Sequence, residues 1–211
     1  MWWCRALEIR SCSPALPRSP AGSGERASGF WQVHRHAAQV LTLAVQEAID
    51  ANLFDPRAAN LDLYGGVGLL AAAVGDRFGN HLRITTVESD PLATDHAAEN
   101  LSEWVGAAAV TARVDNFLRQ LRSTASPAER ARLGSATVIL DPPRAGAGKG
   151  VVDELLTLHP AQVVYVACDP VALARDVALF AAGGYALTRL RAFDLFPNTH
   201  HVEAVATLTK A

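Results

Sequence analysis

Lysine is nearly missing from this 211-residue chain: only Lys149 and Lys210 occur, and arginine supplies the rest of the fixed positive charge. With a net charge of −2 the chain offers nucleic acid no global attraction, which argues against tight RNA binding by this chain alone. Cysteine is also scarce. Cys4, Cys12 and Cys168 form an odd, sparse set that excludes a disulfide framework and points to a reducing, cytoplasmic setting. No apolar run reaches the roughly 18 residues of a membrane span, and the N-terminus lacks the basic start and apolar core of a secretory signal. The G-x-G-x-x-G spacing of a dinucleotide site is absent, as is the lysine of a P-loop. His34, His36, His200 and His201 have no cysteine or carboxylate beside them at ligand spacing, so they read as surface histidines and no metal site is expected.

Half of the residues are apolar, enough to bury one good core. Residues 1–29 mix Trp, Cys, Ser, Pro, Gly and Arg without a period and are expected to be irregular and disordered. Residues 30–211 read as one domain. Apolar spacing predicts helices over 35–51, 69–78, 91–104, 116–122, 149–158 and 171–181. Strands are predicted over 60–64, 82–87, 109–114, 136–140, 163–167, 186–193 and 201–209. This alternation implies a doubly wound, Rossmann-like α/β sheet, mostly parallel. The last two strands follow without a helix between them, so an antiparallel hairpin at one edge is expected. Such a hairpin would bring Glu203 to the edge where the parallel strands end.

Two apolar segments stop at polar, proline-bearing turns: VILDPPR, with Asp141, and VVYVACDP, with Cys168. Parallel strands deliver reactive groups at their carboxyl ends, so an acid and a thiol should emerge side by side. Beside a nucleotide-type pocket, that pair suggests covalent chemistry on a base. A cysteine in an apolar strand is usually inert core. Cys168, however, ends its strand where a helix begins, and a helix N-terminus is expected to lower its thiol pKa. Asp141 is either a partner for a planar substrate edge or a turn-forming Asp-Pro. The segment LDLYGGVGLL is a strand, a Gly-rich turn and a helix. Its glycines allow close backbone approach, which suits S-adenosylmethionine, a ligand without phosphates. Glu88 ends the next strand, where a carboxylate can accept from both ribose hydroxyls. Asp115 ends the predicted third strand and either faces the adenine or caps the following turn.

The motifs GFWQVH, LDLYGGVG, VESDPLATDHAAEN, LDPPRAG, YVACDPVALARD and FDLFPNTHHVE run in order from Phe30 to the C-terminus. In these the chain resembles the class I adenosylmethionine-dependent RNA (uracil-5-)methyltransferases, which modify tRNA and ribosomal RNA. The resemblance implies S-adenosylmethionine as cofactor and an RNA substrate. It makes Cys168 the nucleophile and Glu203 the general base, with Asp141 beside them. Gln32, Tyr64, Glu88 and Asp141 would line the cofactor and base pocket, with Gly66 and Asp115 carried over as further cofactor contacts. The chain departs from the family in having Gly65-Gly66 for Cys-Gly, His34 for Asn and Ala167 before Cys168. Only 29 unpatterned residues precede Phe30, where family members carry a small RNA-binding barrel. Cys4 and Cys12 cannot make the four-cysteine iron–sulfur site that some members hold. Methyl transfer to another substrate, or cofactor binding without catalysis, are the competing readings.

Overall fold

The computed structural model describes residues 37–195 and 202–211. Gln32, Cys4, Cys12 and all four histidines weighed above lie outside the described residues.

Strand and helix alternate as the periodicity predicts. Helix α1 (Ala37–Ala48) leads to β1 (Asn60–Leu63), α2 (Leu69–Phe78), β2 (Arg83–Glu88) and α3 (Pro91–Asn100). Next come β3 (Gly106–Thr111), α4 (Val114–Thr124), α5 (Pro127–Gly134) and β4 (Thr137–Leu140). Then follow α6 (Gly148–Leu158), β5 (Gln162–Ala167), α7 (Pro170–Ala182), β6 (Tyr185–Phe193) and β7 (Glu203–Lys210). The sheet order is β3-β2-β1-β4-β5-β7-β6. The first five strands pair in parallel, and β7 runs antiparallel between β5 and β6.

Both faces of the sheet are covered, so its central strands read as continuous apolar runs. Within β4, β5 and β7 the side chains alternate between two cores. Leu61, Leu63, Val138, Leu140, Val163 and Tyr165 pack with α4 to α7. Ile84, Ile139, Val164, Val166 and Val205 pack with α1, α2 and Trp104 on the other face. Gly75 on α2 makes room for that indole, because a Cβ there would collide with Trp104.

Three expectations need correction. The third strand spans Gly106–Thr111 rather than 109–114, so Asp115 does not end a strand but lies in the first turn of α4. Nor is Asp115 the cap of that helix, since the capping position is Arg113. Helix α3 stops at Asn100, and the following turn lets Trp104 fold back on α2. Helix α5 is an addition to the expected elements; Ser126 and Glu129 close it with a reciprocal capping box.

Candidate active site at the carboxyl edge of the sheet

The loops after β1, β2, β4 and β5 all leave from one edge, and the antiparallel β7 begins there. The register of β5 with β7 ends at Ala167 opposite Ala204. One step further sets Cys168 beside Glu203. Alternation also places the side chains. Ile139, Val166 and Val205 face the α1–α2 side, and the next outward positions of that parity are Asp141, Cys168 and Glu203.

Distinct local devices hold these groups. Asp141 donates its N–H to the Leu63 carbonyl at 3.2 Å, extending the β1–β4 ladder by one bond. Cys168 precedes the cap of α7, where Asp169 accepts from Ala172 N at 2.8 Å and Pro170 opens the helix. Glu203 is buried at the first position of β7. A cleft beside the thiol is lined by Pro142, Pro143, Arg144, Tyr165, Cys168 and Leu173.

The charges here act on one another. Burial, then Glu203 and Asp62, push Asp141 up to about 7. Burial raises Glu203 while Arg144 opposes it. Burial, Glu203 and Asp141 likewise raise Cys168 above the usual thiol value, with Arg144 again opposing. The thiol is therefore raised on balance, against the expectation that the helix N-terminus would lower it. Cys168 lies one residue outside the helix cap, the Asp169 carboxylate already takes the Ala172 N–H, and two carboxyl groups face the sulfur.

Around the β1 turn, Tyr64 has φ 63°, Gly66 φ 52° and Gly68 φ 82°. Gly65 is required by packing, since a Cβ there would collide with the Thr86 methyl and come within 2.7 Å of Asp62 Oδ2. The Glu88 carboxylate braces this turn. Its Oε2 accepts from Gly66 N at 3.1 Å, and its Oε1 accepts from Ser89 N, Ser89 Oγ and Asp90 N. Oε2 makes only one of these bonds, and a carboxylate oxygen has two lone pairs. Beside the turn is a pocket of about 430 Å³ lined by Tyr64, Ser89, Ala112, Arg113, Pro143 and Val151 among others. Asp115 also lines it, but its carboxylate is paired with Arg113 at 3.1 Å and Arg119 at 3.0 Å.

The structure thus gathers Cys168, Glu203 and Asp141 at one place, and Tyr64, Gly66, Glu88 and Asp115 around the neighbouring turn and pocket. The sequence reading missed Asp62. It is fully buried, its Oδ2 accepts from Thr86 Oγ1 at 3.2 Å, and its Oδ1 has no hydrogen-bond partner. A carboxylate within the apolar run Asn60–Leu63 was the available signal, because buried carboxylates are rare without a reason. Arg144, the last residue of DPPR, was missed as the positive charge that opposes the raised thiol and Glu203. Among the described residues no group of His, Cys, Asp and Glu could hold a metal ion. No described helix is long and apolar enough to cross a membrane.

Comparison with known proteins adds an independent line. The family model for tRNA (uracil-5-)-methyltransferases matches residues 55–211. An uncharacterised RNA methyltransferase from Streptomyces avermitilis is 43% identical over 190 residues, covering 90% of this chain and 40% of the relative. One from Bifidobacterium longum is 40% identical over 185 residues, covering 87% and 41%. The crystal structure of Pyrococcus abyssi tRNA (uracil-54, C5)-methyltransferase with S-adenosyl-L-homocysteine matches with a TM-score of 0.67 at 30% identity. That match covers 86% of this chain and 40% of the other. Aeropyrum pernix fibrillarin with bound S-adenosyl-L-methionine, at 13% identity and a TM-score of 0.59, shares the fold alone. The chain spans about 40% of the length of the curated relatives it matches.

Proposed function

The chain belongs to the tRNA (uracil-5-)-methyltransferase family, and on that premise we propose that it transfers a methyl group from S-adenosylmethionine to C5 of a uridine in tRNA or ribosomal RNA. The observation that carries this reading is the register placing Cys168 beside Glu203, with Asp141 next to them at the end of β4.

The residues present fit the cofactor. A close-packed glycine turn, a pocket of about 430 Å³ and a buried Asp62 oxygen without a partner all lie at the end of β1. Tyr64, Gly66, Glu88 and the more distant Asp115 are the residues to hold it, with Gln32 from the preceding segment. Bound there, S-adenosylmethionine supplies an electrophilic methyl group on a positively charged sulfur.

The chain's own residues prepare the base. C5 of uracil is a poor nucleophile. Cys168 first gives up its proton to solvent, helped by the positive charge of Arg144, and addition of the thiolate at C6 then pushes electron density through the ring to C5 and O4. Asp141 is held up to about 7, so at neutral pH a large fraction keeps its proton and can donate to a uracil carbonyl as charge builds there. Gln32 would hold the polar edge of the flipped base alongside it. Once C5 carries the new methyl, one surplus proton remains on that carbon. Glu203, raised by burial, removes it, the C6–S bond breaks and the Cys168 thiolate is restored.

Incubation with methyl-labelled cofactor and unmodified tRNA and ribosomal RNA tests this. Label should appear in 5-methyluridine and be lost in Cys168→Ala. Glu203→Gln should accumulate an RNA-linked protein that survives denaturing gels, because proton removal is blocked after the bond to C6 has formed. Label at a different atom, or a Cys168→Ala variant with undiminished transfer, would sink the reading.

A further inference from the structure

Asp176 is a fully buried carboxylate in the interior of α7, where the thiol chemistry makes no direct use of it. Its Oδ2 accepts from the Tyr165 hydroxyl at 2.7 Å, from Ala147 N at 2.8 Å and from Gly148 N at 3.2 Å. Its Oδ1 accepts from Arg175 Nε and Nη2 at 3.0 and 2.8 Å. The Tyr165 hydroxyl accepts in turn from Ala147 N at 3.0 Å, and Arg175 Nη2 donates to the Ala145 carbonyl at 2.8 Å. Every one of these bonds outside α7 ends on Tyr165 or on the loop 145–148, the continuation of the turn that carries Asp141 and Arg144. Tyr165 precedes Cys168 on β5, and Asp176 follows it on α7. The two side chains therefore grip the loop from both elements that flank the thiol.

The fit is tight. Gly146 has φ +77°, and a Cβ there would lie 2.6 Å from both Asp176 Oδ2 and Arg175 Nη2. A buried carboxylate and phenol are also a poor choice for stability alone. Well-packed apolar residues of similar volume in such a place are often neutral or better. What the polar grip provides is directional control of the loop.

We propose that Asp176 is a positioning residue which, with Tyr165, clamps the loop 145–148 and so sets the spacing of Asp141 and Arg144 from the Cys168 sulfur. This rests on the methyl-transfer reading above. The fully buried Asp176 carboxylate itself touches no substrate. It acts on the chemical step by fixing groups that do, where a misplacement of about 1 Å can cost roughly a hundredfold in rate.

The test compares the full chain with Tyr165→Phe, Asp176→Asn, Asp176→Leu and the double variant Tyr165→Phe/Asp176→Leu. Transfer to unmodified tRNA, melting temperature, amide exchange at Ala147 and Gly148, and the iodoacetamide alkylation rate of Cys168 are measured on each. In Asp176→Leu and the double variant, which leave the Ala147 and Gly148 amides without this acceptor, kcat per folded molecule should fall tenfold or more beyond what any drop in melting temperature explains, and exchange at Ala147 and Gly148 should quicken. Asp176→Asn, which can keep an oxygen facing the Tyr165 hydroxyl and the two amides, should recover part of the loss. Wild-type kcat and wild-type exchange in Asp176→Leu would overturn the clamp, as would a rate loss that only tracks the unfolded fraction. If the parent chain transfers no methyl group, the methyl-transfer reading fails separately. Exchange and alkylation then decide the clamp: faster exchange with an altered Cys168 rate supports it, and no change in either overturns it.

Discussion

Asp62 carries a cost that pH can reveal. Burial first, then the charge of Glu88, raise its pKa to about 7 against the Thr86 hydroxyl and the nearby Ala71 N–H, both of which lower it. An acid whose pKa is higher in the folded than in the unfolded state binds its proton more tightly when folded. Its contribution to stability is therefore fullest below the unfolded value of 3.8 and is lost as pH rises through about 7. Each pH unit between the unfolded and folded values is worth about 1.4 kcal/mol, so up to about 4 kcal/mol is at stake. Asp62→Asn removes the ionisable group but keeps the shape. Its melting temperature should exceed that of the parent at pH 8, and the difference should narrow as pH falls and close only below the unfolded value of 3.8, where the parent carboxyl is neutral folded and unfolded alike. A variant that melts lower at pH 8 would show that the carboxylate is compensated by a partner the orphaned Oδ1 does not reveal. The same burial that makes Asp62 costly places its carboxylate against the glycine turn, with Oδ1 unsatisfied.

At the scale of the element, the β1–α2 turn depends on Gly65 lying against β2. Gly65→Ala should displace the turn and weaken S-adenosylmethionine binding at least tenfold by calorimetry. Thr86→Ser removes the colliding methyl but keeps the hydroxyl bonded to Asp62. In the double variant part of the affinity should therefore return; no recovery would place the obstruction at the Asp62 carboxylate instead. Most of the elements are legible in the sequence, because strands such as VVYVA and helices with apolar residues at helical spacing carry a periodic signal. The exceptions have physical causes. In GAAAVT small alanines supply little strand signal, so periodicity sets β3 three residues late and moves Asp115 from helix to strand end. The capping box of α5 is written in Ser126 and Glu129, but the segment between them and Gly134 buries only Leu133 and shows almost no periodicity. The insertion of β7 between β5 and β6 follows from burial, since β7 is covered almost throughout whereas β6 is largely exposed, as an edge strand can be. Cys168 and Asp141 are legible because each stands where an apolar run meets a proline. The Asp176 clamp is not, because its partners come together only across the packed loop.

For the molecule as a whole, the two cores share β4, β5 and β7 through alternate side chains, so neither face can melt away and leave the other intact. Such a body presents the carboxyl edge as a rigid platform, yet its electrostatics give RNA little to hold. The net charge is −2. Many of its surface cations are already engaged internally: Arg113 and Arg119 on Asp115, Lys149 on Asp153, Arg122 on Glu154, and Arg189 and Arg191 on Glu47. Each phosphate neutralised by a protein cation contributes a slope of about −0.9 for duplex and about −0.7 for single strands to log K against log salt. With these six cations of the described residues paired and a net charge of −2, this chain should bind unmodified tRNA only in the roughly 10⁻⁴ to 10⁻⁶ M range of non-specific binding at physiological salt. Its salt slope should be shallow, corresponding to no more than about three phosphates. Titration by fluorescence anisotropy between low and moderate salt measures both. A steep slope, equivalent to about six or more phosphates, would mean that RNA breaks these ion pairs open on binding and that the edge itself is the RNA-holding surface. A shallow one assigns this chain the chemistry and leaves affinity for RNA to contacts that its own charge does not supply.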